Sequence, residues 1–131
     1  MKVIQLDKKR YVGKMPTFQK YYRKCQENHG GILRWMYKVL FAYYKRKNNI
    51  ELYGGTEIGE GLYFGHPYGI TINEKVIIGK NCNIHKGVTI GQENRGKRKG
   101  VPVIGDNVWI GVILSNNNFF IYCNSVWMSK I

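Results

Sequence analysis

Residues 57–91 read EIGEGLYFGHPYGITINEKVIIGKNCNIHKGVTIG. In this stretch Ile58, Phe64 and Ile70 stand six residues apart, and after a two-residue insertion at Glu74-Lys75 the same step links Ile78, Ile84 and Ile90. Beyond a longer insertion, Gln92 to Pro102, it resumes at Ile104 and Ile110. The next position is small in most cases: Gly59, Gly65, Thr71, Gly79, Gly91, Gly105 and Gly111, with His85 the departure. A branched or aromatic residue followed by glycine at every sixth position suits short strands joined by tight turns, because glycine admits backbone where a side chain would clash. No such strand buries its side chain alone, so successive coils must stack around a shared interior. The expectation for residues 50–111 is a hexapeptide-repeat parallel β-helix, in a chain that is mainly β.

Upstream the period changes to that of a helix. Leu33, Met36, Tyr37, Leu40, Phe41 and Tyr44 recur at three- and four-residue steps on one side, while Arg34, Lys38 and Lys45 take other sides. His29-Gly30-Gly31 breaks the pattern, so helices are expected over about 17–28 and 32–47. The formal charge of +13 sits mainly here: residues 1–47 carry 13 of the 21 Lys and Arg against Asp7 and Glu27. Residues 1–49 therefore read as a short basic α-helical segment. With no recognised nucleic-acid module in it, specific nucleic-acid binding is not expected. A basic amphipathic helix packs against the rest of the protein or a second subunit, and it also suits peripheral contact with a membrane surface.

Cys25, Cys82 and Cys123 form no CxxC pair, and no histidine cluster has zinc-ligand spacing, so a reducing compartment without a structural metal is expected. Lys8-Lys9-Arg10 follows an isolated Val3-Ile4, unlike a signal peptide. The longest apolar stretch, Val39 to Tyr44, is far short of the ~20 residues of a membrane span. A cytoplasmic location follows. Residues 112–131 contain none of the 16 glycines and no repeat, and read as an atypical tail in which the repeat gives way to out-of-frame sequence.

The motifs Gly65-His66-Pro67-Tyr68-Gly69-Ile70 with downstream Glu74, Gly87-Val88-Thr89-Ile90-Gly91, and Pro102 through Gly111 resemble the serine O-acetyltransferase family and its relatives acting on polysaccharides. The resemblance covers about residues 50–111. It implies a left-handed β-helix, a homotrimer with active sites between subunits, and acetyl-CoA as co-substrate lying along the coils. It also implies His66 as general base, with Glu51 as the carboxylate that orients it. Glu74 is carried over as a residue near the acceptor, with His85 as a further acceptor-site candidate. The loop cations Arg95, Lys97, Arg98 and Lys99 are candidates for the phosphates of CoA.

The chemistry accounts for such a pair. A hydroxyl is a poor nucleophile at neutral pH, and an imidazole that takes its proton during attack on a thioester is typically worth about 10² to 10⁴ in rate. A carboxylate on the other ring nitrogen fixes the tautomer. Two departures bear on the acceptor: Gly65 stands where the serine enzymes have Asp, and Gly100-Val101 where they have Arg-His. The expected function is thus acetyl transfer to the hydroxyl of L-serine or of a sugar, as in capsule O-acetylation. The alternative is a non-catalytic truncated remnant acting as an oligomerisation module.

Overall fold

The computed structural model describes residues 2–111; the expectations for the 112–131 tail lie outside them. Three helices come first: α1 (Val3–Lys9), α2 (Thr17–Glu27) and α3 (Gly31–Lys47). Eight strands of two or three residues follow: β1 (Glu57–Ile58), β2 (Tyr63–Gly65), β3 (Thr71–Ile72), β4 (Ile77–Ile78), β5 (Asn83–His85), β6 (Thr89–Ile90), β7 (Val103–Ile104) and β8 (Trp109–Ile110). With helices of 7, 11 and 17 residues against such short strands, the described chain is mixed rather than mainly β. Helix α1 lies within the basic segment expected to be helical, ahead of the two helices expected there.

The strands form three parallel sheets, β1-β4-β7, β2-β5-β8 and β3-β6. The chain visits the sheets in rotation, so β1–β3 form one coil, β4–β6 the next, and β7 and β8 begin a third. Register is set by the repeat: Ile58 pairs with Ile78 and Ile78 with Ile104, while Phe64 pairs with Ile84 and Ile84 with Ile110. Successive coils thus lie one strand spacing apart, roughly 4.8 Å. Ile58, Phe64, Ile78, Ile84, Ile90 and Ile110 are buried and Ile104 is packed against them, as the six-residue period requires. On the third sheet, however, Ile72 rather than Ile70 stands opposite Ile90, so the two-residue insertion falls between Phe64 and Ile72, at the His66 corner, and not at Glu74-Lys75. A second interior column, two positions before the first, holds Thr56, Leu62, Ile70, Val76, Cys82, Val88 and Val108. Each fully buried aliphatic of these columns contributes about 1.5–3 kcal/mol.

Gly59 and Gly79 serve close approach rather than a turn, whereas Gly91 and Gly105 have open space beside them. A Cβ on Gly59 would lie 2.7 Å from the carbonyl carbon of Gly79, and one on Gly79 would lie 2.6 Å from that of Gly105. The left-handed turn positions are instead Gly61, Asn81 and Asn107, with φ of 76°, 56° and 59°.

The helices close the open edge of the first coil. Asp7, fully buried, accepts from the N–H groups of Gly61 (2.9 Å) and Leu62 (3.0 Å) and pairs with Arg23 at 2.6 Å. Arg23 donates to the carbonyls of Ile58 (2.8 Å) and Gly59 (2.7 Å), and Gln19 donates to Asp7 and to the Leu62 carbonyl. Tyr11 accepts from Phe64 N–H, and the Tyr22 hydroxyl donates to the Thr56 carbonyl. Burial pushes the Tyr22 phenol up to about 12 and raises that of Tyr11 as well, so both remain protonated hydroxyls. An unpaired strand edge is an aggregation template, and here side chains of α1, α2 and the segment between them satisfy it.

Helix α3 packs on α2 through Tyr37, Phe41 and Tyr44, with Tyr21 stacked on Tyr44 at 5.5 Å. Leu33 and Met36, expected on that same side, are exposed, and so are Ile32, Trp35, Val39 and Tyr43. The helix is apolar nearly all round, so its period could not single out the face that packs. Among the described residues no helix is long and apolar enough to cross a membrane.

Candidate active site

The corner between β2 and β3 carries His66. Its backbone is left-handed, φ 49°, although Pro67 follows and favours an extended residue before it. A non-glycine residue in that region persists only where its surroundings hold it. They do so from both sides: Gly69 N–H donates to the Asn48 carbonyl (3.1 Å), and the Asn48 amide donates to the Pro67 carbonyl (2.8 Å). From the next coil, Lys86 N–H donates to Gly65 and Gly87 N–H to Tyr68. The imidazole of His66 is exposed, and among the described residues no hydrogen bond or ion pair occupies it.

His85 is brought beside it. On β5 it pairs with Gly65, the residue preceding His66, and its ring lies over that glycine. Burial holds the His85 imidazole below the usual histidine range, and the proximity of His66 adds to the effect. Its Nε2 is buried without a hydrogen-bond partner. Trp109 packs tilted against it at 4.5 Å between centroids, and the Tyr63 ring stands at 6.4 Å.

Glu51 and Glu74 come together in a groove of about 400 Å³, lined also by Tyr53, Thr71, Asn73, Ile90 and Gly91. Glu51 is bridged to Thr71, its N–H donating to Ile70 and its carbonyl accepting from Ile72, each at 2.8 Å. Glu74 sits at a turn in which the Asn73 side chain accepts from Lys75 N–H. No hydrogen bond joins Glu51 to His66 among the described residues.

The loop after β6 leaves from Gly91, at the rim of that groove. It closes on itself through the Glu93–Gly100 bridge, with a tight turn at Gly96–Arg98. Arg95, Lys97 and Lys99 are exposed, and among the described residues none of them enters an ion pair. The loop therefore presents positive charge without ion-pair partners next to the carboxylate groove, a feature suited to an anionic ligand.

A second groove, of about 500 Å³, was not anticipated from sequence. Arg10, Asn81, Asn83, Asn107, Val108 and Trp109 line it. Its signal was present: Asn81 and Asn107 each stand three residues after a repeat isoleucine. Among the described residues no group of His, Cys, Asp and Glu is arranged to hold a metal ion.

No family model matches the chain. Individual relatives do. The serine acetyltransferase of Staphylococcus aureus (strain N315) is 38% identical over 89 residues, covering 63% of this chain and 42% of the relative. That of Staphylococcus xylosus is 32% identical over 119 residues, covering 74% and 55%. The chain spans about half the length of the curated relatives it matches. Among solved structures, serine acetyltransferase isoform 3 from Entamoeba histolytica, in complex with cysteine, superposes with a TM-score of 0.59 at 22% identity, over 85% of this chain and 44% of that one. The serine acetyltransferase from Brucella abortus strain S19 gives 0.60 at 17% identity, over 82% and 50%. At such identities the structures speak for the fold, and the staphylococcal sequences for the kinship. Over the part of their length that it spans, the chain is similar in sequence to serine acetyltransferases and shares their fold.

Proposed function

We propose that the chain catalyses acetyl-CoA-dependent O-acetylation, with His66 as general base, on coils wound as a left-handed parallel β-helix and assembled as a homotrimer in the cytoplasm. The observation that carries this reading is the His66 corner: a left-handed, doubly anchored backbone that turns an unpartnered imidazole to solvent, on a fold shared with serine acetyltransferases. In the reaction His66 takes the proton of the acceptor hydroxyl as its oxygen attacks the thioester carbonyl. A C–O bond forms, the C–S bond breaks, and the imidazolium returns the proton to the departing thiolate. Glu51 is the carboxylate that stabilises the imidazolium, and Glu74 stands beside the acceptor. The exposed cations Arg95, Lys97 and Lys99, with Arg98, take the phosphates of CoA, and the root of their loop at the carboxylate groove supports that role.

L-serine is the acceptor suggested by the staphylococcal relatives. The glycine before His66 favours a second acceptor class, a sugar hydroxyl. A thiol-release assay with acetyl-CoA against L-serine and a sugar panel tests the proposal. Release that depends on His66 supports it, and no release from folded protein with any acceptor favours the reading as a non-catalytic oligomerisation module.

A further inference from the structure

We propose that His85 determines acceptor specificity, by occupying the volume of a residue-65 side chain and forming an aromatic wall beside His66 that takes a neutral hydroxyl acceptor of the polyol or sugar type. The assignment rests on the acyl-transfer reading of the His66 site.

Gly65 and His85 are directly paired on adjacent parallel strands, so their outward positions share one space. A Cβ on Gly65 would lie 2.5 Å from His85 Nδ1 and 3.0 Å from Nε2, and would overlap Cε1. The ring is therefore where the first atoms of any residue-65 side chain would be. No carboxylate can stand immediately before His66 while His85 keeps this place, and the position next to the base offers no counter-charge to an ammonium group.

What fills the space is aromatic. Tyr63, His85 and Trp109 form a row along the outside of the β2-β5-β8 sheet, with His85 in ring contact with both neighbours. Ring faces suit the C–H surface of a saccharide, and the neutral imidazole suits a hydroxyl rather than an ammonium. Burial and the neighbouring His66 both favour that neutral form. A residue serving only to fill volume would more simply be leucine. Histidine at this place instead leaves Nε2 buried and unpartnered, a cost that a functional group beside a candidate base can explain.

The test is a reciprocal exchange on the full chain: Gly65→Asp, His85→Leu and the double variant, each examined by thermal denaturation and by acetyl-CoA thiol release. The acceptors are methyl glucoside, N-acetylglucosamine and glycerol against L-serine and L-homoserine. Gly65→Asp alone is expected to lower Tm, and His85→Leu added to it to restore most of that loss. His85→Leu alone should keep Tm at neutral pH, raise KM for the preferred neutral acceptor at least tenfold and leave KM for acetyl-CoA unchanged. The double variant should shift the ratio of amino-acid to neutral-acceptor kcat/KM at least tenfold toward the amino acid. The assignment is overturned if His85→Leu transfers acetyl with unchanged acceptor KM and preference, or if Gly65→Asp keeps the wild-type Tm and preference. Absence of thiol release from the wild-type chain with every acceptor overturns the catalytic reading and the assignment together.

Discussion

Two polar regions of this molecule obey opposite rules. At the edge of the first coil, Asp7, Gln19 and Arg23 are buried and every side-chain nitrogen and oxygen they carry is bonded, to one another, to neighbouring side chains or to backbone. At the His66 corner and in the neighbouring carboxylate groove, His66, Glu51 and Glu74 have exposed side chains without a hydrogen bond or ion pair among the described residues, and His85 keeps an orphaned ring nitrogen. Structural polarity is satisfied because burying an unpaired group is costly, whereas groups that must meet a substrate are left open. Thr56 Oγ1, in the interior column, and Glu27 Oε1 and Arg34 Nε, on the helices, are also buried without a hydrogen-bond partner, and they lie outside both regions.

The contrast breaks first at the cap. Asp7→Ala strands Arg23 without its counter-charge and orphans two backbone N–H groups, for which a loss of about 3–5 kcal/mol is expected. Chemical denaturation measures it, and a loss under 1 kcal/mol, below the ~3 kcal/mol floor for a broken buried pair, would mean that the helices do not hold the coil edge. A smaller effect is expected inside the coils. Gly79→Ala places a Cβ 2.6 Å from the backbone of the next coil and should cost about 1–3 kcal/mol. Gly91→Ala has nothing within 4 Å and should be close to neutral, so equal effects from the two glycines would refute the close-approach account.

The smallest effect concerns pH. Because the His85 imidazole is held below its ordinary value in the fold, protonation favours the unfolded chain. Its stabilising contribution is therefore complete above the reference value of 6.5 and is lost as pH falls through the lower folded value. Tm should decline below about pH 6.5 in wild type and decline less in His85→Leu. Parallel profiles for the two proteins would show that His85 does not titrate in the fold.

The interior was legible in the sequence to the extent that one periodic residue type announced it. Ile58, Phe64 and Ile78 could be assigned by step alone, but Thr56, Leu62 and Cys82 share no residue type, so the second column stayed hidden until the backbone showed which side they face. Asp7 reads as a solvated acid in a basic segment, because its partners Arg23, Gly61 and Leu62 are distant in sequence. His85 was visible as a departure from the small-residue rule, yet its meaning depended on pairing with Gly65 across an insertion. His66 was found through its motif, and the strain at its backbone was not foreseeable from composition or period.

The most direct test of the central claim joins the two regions in one sample: acetyl-CoA thiol release and thermal denaturation of His66→Ala beside wild type. The account predicts that release falls by about 10² to 10⁴ while Tm stays at the wild-type value, since the imidazole holds nothing in place. Undiminished release from a folded His66→Ala protein would contradict it.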